Sequence, residues 1–134
     1  FQTLYDSVPD KDKSVLPPRK TFYGEIPRTA REMYEHTKNV NNYYFGEIGI
    51  ETDNAGSIFE CREHGFVLVE SLPSFPKNTV IVGSYGEEWS LRKVLRRFIW
   101  HDRIHAKAIL RAAKKTFPNA DIADPFLFEK FNLI

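Results

Sequence analysis

The chain has 134 residues, 42% of them hydrophobic, with nineteen Lys and Arg against eighteen Asp and Glu for a formal charge of +1. That is enough apolar material for one core, while the balanced charge supplies no field to recruit nucleic acid or an anionic membrane surface. A single cysteine, Cys61, excludes an internal disulfide, and no run of about 20 apolar residues is present to span a bilayer, so the expectation is a soluble, cytoplasmic protein.

The sequence opens on Phe1 with neither an initiator Met nor a signal-peptide pattern, so further residues are expected upstream. Residues 1–23 carry the charge cluster "DKDK", a Pro17-Pro18 step and no sustained periodicity, which predicts an extended arm. Residues 24–134 form the second division, a helical domain. From Pro27 the pattern turns helical: Thr29 and Glu32 have capping-box spacing, and Ile26, Ala30, Met33, Thr37, Val40 and Tyr44 recur at three and four, which predicts a helix to about Ile48. Ile58, Cys61, Gly65, Val69 and Leu72 predict a second helix, followed by a Pro- and Gly-rich loop with a brief extended piece around residues 79–82. Ser90 then caps a long helix whose stripe is Leu91, Val94, Leu95, Phe98, His101, His105, Ala108, Ile109 and Ala112, ending at Pro118. The aromatic tail "IADPFLFEKFNLI" is expected to pack back on the helices.

The long helix places two histidines where core side chains belong. At i and i+4 they lie about 40° apart on one face, the spacing of a bidentate metal site. The same placement suits a buried network of hydrogen-bonded imidazoles, since an unpaired one would cost about 1–3 kcal/mol. His36, flanking the stripe of the preceding helix between Met33 and Val40, adds a third inward imidazole. Three neutral nitrogens suit zinc, nickel, iron or another first-row ion and leave positions open for water or substrate. His64 falls off its stripe and reads as a surface residue. Cys61 reads as a small core hydrophobe rather than a ligand. Glu32 and Glu47 stand near the His36 helix as caps, surface charges or acceptors lining a cavity, Asp102 is rotated away from His101, and Arg92, Lys93, Arg96 and Arg97 form a solvated face.

The segments "TAREMYEHTKNVNNYY", "EEWS" and "LRKVLRRFIWHDRIHAKAI" together resemble the DinB/YfiT-like superfamily of up-down four-helix bundles, over residues 28–116. The resemblance implies an all-α fold in which His36, His101 and His105 ligate a divalent metal, with Trp89-Ser90 at the start of the last helix. It further implies a small-molecule substrate and a low-molecular-weight thiol cosubstrate, because members of known activity include bacillithiol- and mycothiol-dependent transferases and maleylpyruvate isomerase. The family's first helix has no counterpart before the His36 helix here. Its absence would open an apolar groove, to be covered by a second copy in a homodimer across Met33, Val40 and Tyr44, by the arm and tail, or by residues upstream. The function expected is that of a metal-dependent thiol S-transferase. The alternatives are a hydrolase using metal-activated water and a non-catalytic helical module that binds a protein partner.

Overall fold

Reciprocal side-chain caps start two of the helices in the computed structural model, which describes residues 1–134 apart from the side chain of Pro76. Thr29 Oγ1 accepts from the Glu32 amide at 3.1 Å, and Glu32 Oε2 accepts from the amides of Thr29 at 3.1 Å and Arg28 at 2.7 Å, so the predicted capping box forms. Ser57 and Glu60 make a second box, with bonds of 3.1 and 2.7 Å. The chain is mostly helical, in line with the all-α expectation. Its helices are α1 Gln2–Ser7, α2 Ala30–Lys38, α3 Asn41–Gly46, α4 Ile58–Glu70 and α5 Leu91–Thr116. Two antiparallel hairpins interrupt them: β1 Lys20–Thr21 with β2 Gly24–Glu25, Lys20 opposite Glu25, and β3 Ile81–Val82 with β4 Glu88–Trp89, Ile81 opposite Trp89. No helix among the described residues is long and apolar enough to cross a membrane.

The chain divides into two compact units, residues 1–37 with 102–134, and residues 38–101. In the first, Leu4 and Val8 from the N-terminal segment, Met33 from α2, Ile109 and Leu110 from α5 and Ile122 and Phe128 from the tail share one core. The tail therefore packs back as its composition predicts. Asp124 fixes it by accepting from the amides of Phe128 at 3.0 Å and Glu129 at 2.9 Å, and Lys114 pairs with Glu129 at 2.7 Å.

Residues 1–23 differ from the extended arm that the sequence predicts. They contain α1 and the first strand of a hairpin. Six residues are too few to display a helical period, and so short a helix stands only on tertiary support. That support is Leu4 in the core, Tyr5 stacked on Tyr34 with ring centroids 4.1 Å apart, and Tyr34 Oη donating to Gln2 Oε1 at 2.5 Å. A bidentate pair, Arg31 to Asp12 at 2.6 and 3.0 Å, holds the segment that follows.

In the second unit Tyr44, Phe45, Ile48, Val69, Trp89, Val94 and Phe98 form the core. The predicted stripe of α4 is buried at Ile58, Cys61, Gly65 and Val69. The single helix expected to run from Pro27 to about Ile48 is instead split into α2 and α3. Side chains compete for the backbone at the break: Thr37 Oγ1 donates to the Met33 carbonyl at 2.6 Å, and Asn54 Nδ2 donates to the Asn39 carbonyl at 3.3 Å. Two further expectations are corrected. Leu95, placed on the apolar stripe, is exposed, and Met33 and Tyr44, offered as a self-association surface, are buried.

Candidate metal centre

His36 comes from the last turn of α2, and His101 and His105 from successive turns of α5. The rings of His36 and His105 meet edge to face, with centroids 4.7 Å apart and planes at 72°. His101, 7% exposed, packs edge-on against the ring of Tyr44 at 5.9 Å. Each histidine offers one ring nitrogen to a cluster in which these atoms all lie within 4.8 Å of one another. The spacing of four along α5 is what sequence alone supplies for His101 and His105. The approach of His36 requires the fold.

Its exposure does not match the inward placement read from the sequence. His36 is exposed while His105 is half-buried, so the cluster grades from solvent to interior. The physical reason is that His36 stands beside Met33 and Thr37 on α2, at the edge of their buried face.

Burial, with His36 alongside, lowers the pKa of His105 to about 4. The imidazole is therefore neutral at pH 7, the protonation state that a metal ligand must have. Around a tetrahedral ion with bonds of about 2.05 Å, ligand nitrogens stand about 3.4 Å apart. The 4.8 Å limit on the separations in the cluster leaves room for that spacing, with side-chain rotation to supply any difference. In donor chemistry the set fits a borderline divalent ion: three neutral nitrogens, no carboxylate and no thiolate.

Other residues singled out from the sequence lie elsewhere in function. His64 is exposed, as its off-stripe position predicts. Cys61 is buried, with Sγ 3.0 Å from the Ala55 carbonyl, and behaves as core. Glu32 spends its carboxylate on the α2 cap. Glu47, 5% exposed, is neither surface charge nor cavity base: it accepts from the Ser84 amide at 2.8 Å and from the Ser84 hydroxyl. Lys93 and Arg97 are not simply solvated, since both pair with Glu87, at 2.6 and 3.3 Å, and lie over the Trp89 ring. Tyr44 is the contact that sequence reasoning missed. Its place on the apolar stripe marks it as core, and nothing in the pattern shows that it would meet His101. Comparison with known proteins found no family model, no curated protein and no solved structure that matches the chain.

Proposed function

We propose that the protein is a metal-dependent enzyme of the DinB/YfiT-like, thiol-transferase type, with His36, His101 and His105 as ligands of one divalent transition-metal ion. The observation that carries this reading is the convergence of three histidine nitrogens from α2 and α5 within 4.8 Å. Three ligands leave coordination positions for a reactant, and the exposure of His36 leaves the set open to solvent on that side. A bound ion would supply activation of a thiol, or of water, as a nucleophile near neutral pH. The chain's own contribution is to hold His105 neutral and to pack His101 against Tyr44.

Metal content per chain, measured after gentle purification and again after adding zinc or nickel, tests the reading. About one equivalent is expected, and less than a tenth in both measurements would overturn it. Single Gln substitutions of His36, His101 and His105 should each weaken zinc binding at least about 10-fold, the scale of loss that even supporting residues produce. His64→Gln should leave it unchanged. A second reading, a non-catalytic module that binds a protein partner, is favoured by one feature of α5: Ile99 and Trp100 are 68% and 54% exposed. It predicts that chelator leaves the melting curve of the parent protein unchanged, and that of His105→Gln likewise.

A further inference from the structure

Five charged side chains line a cleft of about 620 Å³ in the first unit, beside the start of α2: Arg19, Lys20, Glu25, Arg28 and Glu32. Three of these charges are committed. Lys20 and Glu25 face each other across the β1–β2 hairpin at 3.7 Å. Glu32 accepts from the amides of Arg28 and Thr29, and those bonds hold its carboxyl below the ordinary range. What remains is two guanidinium groups, those of Arg19 and Arg28, with no hydrogen bond or ion pair to a protein acceptor among the described residues.

The backbones that carry them are fixed. The Arg19 carbonyl accepts from the Ile26 amide at 2.9 Å, and the Arg28 amide donates to Glu32 Oε2 at 2.7 Å. The main chains of two cationic residues are thus fixed at one cleft, and the Arg28 charge adds to the lowering of the Glu32 pKa there. Guanidinium forks match the planar or trigonal oxygens of carboxylate and phosphate, and each bond to such a group is charge-assisted.

We propose that this cleft is an oxyanion-binding site, separate from the histidine cluster, that takes the carboxylate or phosphate group of a small molecule between Arg19 and Arg28. Its wall residue Glu32 lies one turn before His36 on α2, about 6 Å along the helix axis.

The test uses the metal-free chain with inorganic phosphate and acetate as separate probes, read by calorimetry and by the rise in melting temperature that ligand binding produces. Saturable phosphate or acetate binding at millimolar concentrations is expected, with at least a ten-fold loss in R19Q and in R28Q and a smaller loss in R28K. Whichever probe binds tighter identifies the source of the oxyanion. H36Q should bind the probes like the parent chain. That variant keeps the two ideas apart, because failure of metal binding leaves the cleft standing and failure of the cleft leaves the metal reading standing. Undiminished binding in the R19Q/R28Q double variant, or no saturable binding of either probe, would overturn the proposal.

Discussion

At Gly65 a Cβ would stand 2.1 Å from the ring of Phe45, closer than any side chain can approach. The absence of a side chain there lets α3 and α4 pack with Phe45 fully buried. Gly65→Ala should therefore destabilise the protein by about 1–3 kcal/mol, despite alanine's better helix propensity, because overpacking outweighs the gain. A drop in melting temperature checks this, and Phe45→Leu in the same chain should recover part of it. The sequence marks Gly65 only as a stripe position, since its need for emptiness arises from a ring twenty residues away. The histidines divide in the same way. His101 and His105 are legible as a pair because helix geometry alone sets them on one face, whereas the exposure of His36 and the contact of His101 with Tyr44 depend on packing that no local period encodes.

Helix beginnings are the best-determined elements here because their signals are short-range and chemical. Thr29 with Glu32, and Ser57 with Glu60, each satisfy amides that the helix itself leaves open. Thr29→Ala should cost about 1 kcal/mol, measured by denaturant titration. The capping bonds also pull both glutamate pKa values below the ordinary 4.5. A carboxylate whose folded pKa is lowered adds stability that is present above the ordinary value and is lost as pH falls through the folded one. Acid melts should accordingly steepen below about pH 4.5, and Glu32→Gln should flatten that dependence while lowering stability at neutral pH. Equal slopes in the two chains would refute this account. Helix ends and breaks are harder to read. The division between α2 and α3 rests on bonds from Thr37 and Asn54, one of them made across fifteen residues of sequence, and α1 is shorter than the window in which a period can be seen.

For the molecule as a whole, a pI near 8.0 and a net charge of +1 give little electrostatic protection against self-association in mildly alkaline solution. The exposed residues Ile99 and Trp100 on α5, with Phe59 and Val67 on α4, make this matter. Light scattering should show association rising toward pH 8, and Ile99→Lys should suppress it by adding charge and removing an apolar contact.

Cys61 has a consequence at the same scale. It is the chain's only cysteine, 2% exposed, and burial pushes its thiol pKa up. A thiol reagent can reach it only when the unit formed by residues 38–101 opens, so the labelling rate is a clock for that opening, read at one sulfur without isotopes or engineered probes. If opening is local, labelling will far outpace global unfolding; if the unit opens only as a whole, the two rates will coincide at every denaturant concentration. The same silence keeps the native chain's own thiol out of any assay that supplies a small thiol as reactant.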